Sequence, residues 1–185
     1  MPEGGRELFY EVQNFRRSRW ILFVITPISA FLVVFFTYAI IRQLIMGIPV
    51  GDKPLSNIWL AIVAPFFIAL GVLLFWLFLT SRLETRVTDK GLFIRFYPFH
   101  IRKIKIPLEE IEDFQVCSYN PVLDYGGWGI RYGAKGKAYN VSGNRGVRLT
   151  FRDGTTLLIG SQRSEEFAQA LSRAIGYPGK MDSGE

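Results

Sequence analysis

Two long runs of uncharged, mainly apolar residues dominate the first half of the chain. The first covers residues 20–41, between Arg19 and Arg42, and the second covers residues 54–81, with its most apolar part at 58–79. At a rise of about 1.5 Å per residue, each apolar stretch forms a helix of about 33 Å, and a bilayer has a hydrocarbon core of about 30 Å. The pattern therefore predicts two transmembrane helices, at about 20–41 and 58–79.

The first run differs from a cleaved secretory signal. Its apolar part exceeds the usual 7–15 residues (roughly) of a signal peptide, and no small-x-small cleavage pattern follows it. The sequence therefore predicts a retained anchor and a helical hairpin over residues 20–81.

Basic residues near the ends of the two runs predict their orientation. The outer flanks carry Arg6, Arg16, Arg17, Arg19, Arg82, Arg86, Lys90 and Arg95, whereas the connecting loop carries Arg42 and Lys53. Positively charged flanks stay on the cytoplasmic side of a membrane. We therefore expect an integral protein of the inner (cytoplasmic) membrane with both termini in the cytoplasm.

Residues 1–19 are predicted to form a cytoplasmic amphipathic lead-in. Leu8, Val12 and Phe15 recur at spacings of four and three, which is the apolar stripe of a helix. We expect this helix to lie at the inner membrane surface or to extend the first membrane helix.

Short β-rich segments separated by turn residues fill most of residues 82–178. The clearest hairpin joins residues 147–151 to 156–159 through Asp153-Gly154, and a final amphipathic helix ends near Gly176. The pattern predicts a cytoplasmic α+β domain in which about seven strands close into a barrel or sandwich capped by the C-terminal helix. Residues 179–185 are predicted to be a flexible tail.

Composition excludes several classes of function. The chain has one cysteine and one histidine, so neither a disulfide framework nor a multi-cysteine metal site is expected. The predicted membrane helices contain no charged residue, which argues against a transporter. The net charge of +6 is spread along the chain, so we expect no nucleic-acid binding. We likewise predict no catalytic residues, no cofactor and no small-molecule substrate.

A glycine-rich stretch supplies the candidate interaction loop, with Tyr125, Trp128 and Arg131 as its contact residues. Its glycines do not meet either phosphate-binding spacing. Two interpretations remain open. Trp128 either covers the core of the domain, which the neighbouring glycines favour, or anchors a protein partner.

Basic residues near the predicted membrane surface are candidate contacts to anionic lipid. They are Arg16, Arg17, Arg19, Arg82, Arg102, Lys103 and Lys105. The alternatives are that the flanking arginines only determine topology and that the others form a solvated face.

The chain resembles prokaryotic membrane proteins with two transmembrane helices and a bacterial pleckstrin-homology-like (PH-like) domain. The matching segments are residues 11–13, 86–91, 106–111, 125–131 and 144–149, of which the glycine-tryptophan segment Tyr-Gly-Gly-Trp-Gly-Ile-Arg is the most specific. The resemblance implies the fold, the topology and a binding or scaffolding role, and it implies no catalytic residue.

These expectations lead to two functional hypotheses. In the first, the protein is a membrane-anchored, non-enzymatic scaffold or accessory subunit. Its partners are membrane lipids and either further copies of itself or the other subunits of a larger membrane complex. In the second, it is a sensor of lipid headgroups at the membrane surface. Gly71 and Ala64 offer weak points of close contact for helix association.

Overall fold

The computed structural model describes residues 5–17, 19–133 and 135–176, without the side chains of Arg17 and residues 19–21. The chain divides into two compact units. The helical hairpin is Ser18–Thr80, and the β domain combines Met1–Arg17 with Ser81–Glu185. The predicted tail at 179–185 lies outside the described residues.

The helical hairpin contains two helices that are long and apolar enough to span a membrane. Helix α1 is Arg19–Ala39 and continues into a π-helical segment at Ile40–Ile45, and helix α2 is Asn57–Thr80. The predicted positions were about 20–41 and 58–79. The main difference is at the end of the first helix, which extends past the charged Arg42.

Small residues of α2 let the two helices approach closely. Ala64 is fully buried, and a Cβ added to Gly71 would lie 3.0 Å from the Ser29 carbonyl oxygen of α1. Nearer the loop, Phe36 stacks on Phe67 with ring centroids 4.7 Å apart. Gly71 and Ala64 are therefore used in packing within the chain.

One buried amide organises the loop between the helices. The Gln43 side chain, 8% exposed, donates from Nε2 to the Leu55 carbonyl oxygen at 2.5 Å and to Asn57 Oδ1 at 3.0 Å. Its Oε1 accepts from the Val50 amide at 3.4 Å. Because these partners lie on both halves of the loop, Gln43 fixes the loop against the end of the first helix.

The β domain is built from two sheets and a terminal helix. The first sheet has the order β1-β2-β3-β4 and the second has the order β5-β8-β9-β7-β6. The strands are β1 Glu7–Asn14, β2 Arg82–Thr88, β3 Gly91–Tyr97, β4 Ile104–Ile106, β5 Ile111–Ser118, β6 Gly129–Gly133, β7 Gly136–Asn140, β8 Arg145–Phe151 and β9 Thr156–Gly160. The helices are α3 Pro121–Tyr125 and α4 Ser164–Ile175.

This arrangement corrects two predictions, namely about seven strands and a closed barrel. The described residues form nine strands in two separate sheets. The pairing of β7 with β9 is parallel, whereas all the other strand pairs are antiparallel. Apolar side chains of both sheets and of α4 share one core, in which Leu83, Leu149 and Phe167 are fully buried. The domain therefore has a mixed α+β fold.

The predicted amphipathic helix before α1 is wrong, because Glu7–Asn14 is a strand. It pairs antiparallel with β2 over nearly its whole length. Its inward-facing positions include Glu11 and Gln13, at 8% and 4% exposure. Gln13 Nε2 donates to the Gly160 carbonyl oxygen at 2.7 Å. Glu11 accepts from Ser161 Oγ at 2.6 Å and from the Gln162 amide at 3.0 Å.

The helical hairpin is thus inserted between two neighbouring strands of one domain. Asn14 at the end of β1 pairs with Arg82 at the start of β2, and the Phe15 amide donates to the Ser81 carbonyl oxygen at 3.1 Å. The chain leaves the β domain for α1 and returns to it from α2 at the same end of the first sheet.

Candidate interaction surface

The five-residue helix α3 is fixed by the polar residues at its ends. The Asn120 side chain accepts from the amides of Val122 and Leu123 at 3.1 and 3.0 Å, and Gly126 ends the helix in a left-handed conformation with φ 70°. The Asn120 amide donates to Asp124 Oδ2 at 2.9 Å. This hydrogen bond, with a smaller contribution from Lys135, lowers the pKa of the Asp124 carboxyl. The helix therefore has a defined orientation despite its length.

Three apolar side chains project from α3 and from the adjoining strand β6. Leu123 is 83% exposed, Tyr132 is 75% exposed and Val122 is 57% exposed. The two elements are adjacent, because a Cβ at Gly133 would collide with the Asp124 carbonyl oxygen and Lys135 Nζ lies 3.0 Å from Asp124 Oδ1. We call Val122, Leu123 and Tyr132 the α3–β6 surface.

Strand β6 is an edge of the second sheet. Among the described residues it pairs with β7 alone, through the register Ile130↔Tyr139 and Arg131↔Ala138. An edge strand presents backbone donors and acceptors to which another strand can add. The exposed apolar side chains thus lie on and next to the edge strand of the second sheet.

Tyr125, the first residue of the predicted interaction loop, lies in the core. It is 4% exposed and packs edge-to-face on Tyr119 with centroids 5.9 Å apart. Burial raises the pKa of Tyr125, and it raises the pKa of Tyr119 to about 12. The Tyr119 hydroxyl fits over Gly160, where an added Cβ would lie 2.9 Å from it. Tyr125 is a packing residue with little surface to offer a partner.

Trp128 is half-buried beside Asn140, a buried residue that was not among the predicted site residues. The fully buried Asn140 accepts through Oδ1 from the Gly129 amide at 2.8 Å. Trp128 Nε1 points to the Gly143 carbonyl oxygen at 3.4 Å. The glycines beside Trp128 therefore allow the loop to approach Asn140, while the indole lies across the 141–144 loop.

Arg131, the third predicted contact residue, is exposed and folds back over its own loop. Its Nε donates to the Trp128 carbonyl oxygen at 2.9 Å, and its guanidinium lies above Gly127. Of the three predicted residues, Arg131 and part of Trp128 reach the surface. Val122, Leu123 and Tyr132 were missed because isolated apolar residues in a turn or a short strand look like core residues in sequence.

The candidate lipid contacts do not form one cluster. Arg102 and Lys103 lie in the β3–β4 loop, whereas Lys105 lies within β4 opposite Phe93. Arg82 starts β2, where it pairs with Glu84 at 2.8 Å and lies over the Tyr97 ring. Arg16 is exposed after β1. The side chains of Arg17 and Arg19 lie outside the described residues.

The single histidine orders the β3–β4 loop. His100 Nδ1 accepts from the Phe96 amide at 3.2 Å, and the His100 amide donates to the Phe96 carbonyl oxygen at 2.8 Å. Burial, with a smaller effect of Lys137, lowers the pKa of His100 below 6.5. The accepting role of Nδ1 requires the neutral ring.

The described residues contain no group of three or more His, Cys, Asp or Glu side chains that could hold a metal ion. Cys117 is buried. Two surface features of the β domain remain: the exposed apolar side chains at the edge strand β6, and the β3–β4 loop with Arg102 and Lys103.

Fold and surface together define a two-helix protein with a mixed α+β domain divided by the helical hairpin. A model described as a family of unknown function (DUF6141) matches residues 1–177. The chain therefore belongs to this family.

Comparisons with known proteins add little beyond the family. No curated protein matches the chain. A chain in the solved "Structure of the Spt16D Pob3N heterodimer" is similar over 55% of this chain, at 12% identity and a TM-score of 0.35. The match covers 46% of that chain, which is less than half of its length. At this TM-score the likeness carries no argument about fold or function.

Proposed function

We propose that this protein is a non-enzymatic scaffold anchored in the cytoplasmic membrane, whose β domain binds a protein partner at the α3–β6 surface. The observation that carries the proposal is the exposure of Leu123 and Tyr132, at 83% and 75%, beside the edge strand β6. Exposed apolar side chains at an edge strand suit a protein partner that packs against them.

Membrane anchoring is supported by the outward surface of the helical hairpin. Large apolar side chains point away from the helix pair, including Ile58 at 76% exposure and Phe23 at 75%. The pairing of Asn14 with Arg82 adds a constraint, since the start of α1 and the end of α2 must lie on one side of a membrane that the hairpin spans. The excess of basic residues on these flanks supports the assignment of that side to the cytoplasm.

A PH-like architecture is part of the same proposal. The resemblance of the sequence implies strands followed by a C-terminal helix, and support for it comes from the two sheets that precede α4. In this architecture the helical hairpin occupies the first strand connection. Such domains serve as binding modules, which fits a scaffold.

The assembly is proposed to be a homo-oligomer or part of a larger membrane complex. The hairpin buries a narrow stripe of α2, namely Leu60, Ala64, Gly71 and Phe78, and leaves most of its surface to lipid or to other helices. Neither nucleic acid nor a small-molecule substrate is proposed as a partner.

A lipid-headgroup sensor is less well supported as the function. Its predicted basic cluster is divided, because the Lys105 side chain extends along β4 to Gly91, at the start of β3, whereas Arg102 lies in the loop after β3. A headgroup pocket needs several cations that converge on one phosphate.

Purification of the full chain from its native membrane in mild detergent tests the scaffold. The wild type is compared with Leu123→Asp/Tyr132→Asp, which places charge on the surface without altering the core. A matched control, Gln169→Asp, changes an exposed residue of α4. We expect a protein that co-purifies with the wild type and the control and is lost from the double variant. An identical set of co-purifying proteins in all three samples would contradict the proposal.

A further inference from the structure

The β3–β4 loop, residues 98–103, lies at the end of the first sheet where the chain enters and leaves the helical hairpin. Tyr97 pairs with Arg82, and Arg82 pairs on its other side with Asn14. Arg82 follows Thr80, the last residue of α2, by two positions. The loop therefore belongs to the end of the β domain that is nearest along the chain to the proposed membrane.

This loop exposes two large apolar side chains. Ile101 is 86% exposed and Phe99 is 60% exposed. The Phe99 ring is 5.9 Å from that of the buried Phe96, which is in turn 5.9 Å from Phe15 near the start of the hairpin. Because the hydrogen bonds between His100 and Phe96 fix the backbone, the two apolar side chains are held outward.

The charge at this end of the sheet is mainly basic. Residues 95–103 contain Arg95, Arg102 and Lys103 and no acidic residue, and nearby Glu84 pairs with Arg82 at 2.8 Å. Arg102 is exposed in the loop itself, and Arg95 and Arg82 both lie over the ring of Tyr97 at its base. Exposed apolar side chains within a basic surface complement an anionic lipid interface, where the apolar groups enter the headgroup region and the cations meet phosphate.

We propose that residues 98–103 form a membrane-contact loop, in which Phe99 and Ile101 insert into the headgroup region of an anionic bilayer and Arg102 contacts lipid phosphate. This inference rests on the proposed membrane anchoring. It assigns the loop to the bilayer surface and leaves the α3–β6 surface for a protein partner.

Depth-dependent fluorescence quenching of the full chain in lipid nanodiscs tests the loop. In a variant whose native cysteine is replaced, single cysteines at Ile101, Lys90 and Val72 carry a polarity-sensitive fluorophore, and nitroxide-labelled lipid is the quencher. Lys90 is exposed at the opposite end of β2 and β3, and Val72 is an outward residue of α2. The nanodiscs contain phosphatidylcholine either alone or mixed with phosphatidylglycerol.

We expect blue-shifted emission and strong quenching at Ile101 in the mixed lipid, weaker quenching in phosphatidylcholine alone, and none at Lys90. Arg102→Gln should reduce the quenching at Ile101 in the mixed lipid towards its level in phosphatidylcholine. Quenching at Val72 without quenching at Ile101 would contradict the proposed membrane contact of the loop but not the membrane anchoring of the hairpin. A blue shift at Ile101 without quenching would also contradict this membrane contact, in favour of a protein contact. Absence of quenching at Val72 would overturn the anchoring itself.

Discussion

Replacement of Glu11 by alanine tests whether the residues before α1 belong to the folded β domain. The Glu11 carboxylate is buried at 8% exposure and accepts from Ser161 Oγ and from the Gln162 amide, 150 and 151 residues away in the sequence. A hydrogen bond to a charged group contributes about 1.5–3 kcal/mol. Because Gln162 is exposed and water can replace one of the two bonds, we expect Glu11→Ala to lower the free energy of unfolding by about 1.5–3 kcal/mol.

Two variants of the same strand calibrate this result. Glu11→Gln keeps the shape and one accepting oxygen, so its cost should be about half as large. Glu7→Ala removes an exposed carboxylate whose ion pair with Arg86 is 3.1 Å long, and solvent-exposed pairs contribute about 0–1 kcal/mol.

Native-state hydrogen exchange of the full chain in detergent micelles measures these differences from the slowest amides of β8 and β9. These strands lie inside the second sheet, so their exchange requires opening of the whole domain. If Glu11→Ala costs no more than Glu7→Ala, the reasoning is refuted and the segment before α1 is not an integral strand.

Core packing, the pKa of His100 and the membrane topology can each be tested by one experiment. In the same exchange experiment, Tyr125→Ala should lower the free energy of unfolding by about 3–5 kcal/mol, because it removes a core side chain. Trp128→Ala should lower it by about 1–2 kcal/mol, because the indole is only half-buried. Equal losses would contradict the burial of Tyr125 and the partial exposure of Trp128. The pKa of His100 is lower in the folded state than in the unfolded state. Its contribution to stability is therefore complete above pH 6.5 and is lost as the pH falls through the folded-state pKa. In melting experiments at a series of pH values, a His100→Ala variant should lack this part of the destabilisation by acid. With the native cysteine replaced, a cysteine at Gly51 should react with an impermeant reagent in intact cells and one at Lys90 should not; the reverse pattern would exclude a cytoplasmic β domain.

The two long helices could be predicted from sequence because their signal is local. An uncharged run of sufficient length indicates a membrane helix without reference to any other part of the chain. The terminal helix was similarly clear, since its apolar stripe and Gly176, which adopts φ 77°, mark its face and its end.

Strand β1 could not be predicted, because the residues on its inward face are polar. Glu11 and Gln13 occupy positions at which a strand pattern would call for apolar side chains, so the alternation was hidden and the spacing of Leu8, Val12 and Phe15 favoured a helix. The two polar side chains are satisfied by Gly160, Ser161 and Gln162. No local pattern reveals partners that lie about 150 residues away.

The α3–β6 surface lies next to the predicted interaction loop and consists of other residues. The glycine-tryptophan segment does adjoin it, yet Tyr125 is 4% exposed while Leu123, two positions earlier, is 83% exposed. Which of two neighbouring large side chains points inward depends on the cap at Asn120 and on the contact between α3 and Gly133. Those interactions set the direction of a five-residue helix and leave no periodic signal.

Photo-cross-linking in living cells tests the proposed scaffold most directly. A photoreactive amino acid replaces Leu123 on the α3–β6 surface or, as a control, Gln169 on the exposed face of α4. The account predicts a discrete cross-linked protein adduct from position 123 and none of the same mass from position 169. Absence of an adduct at position 123, or the same adducts from both positions, would contradict the claim that this surface binds a protein partner.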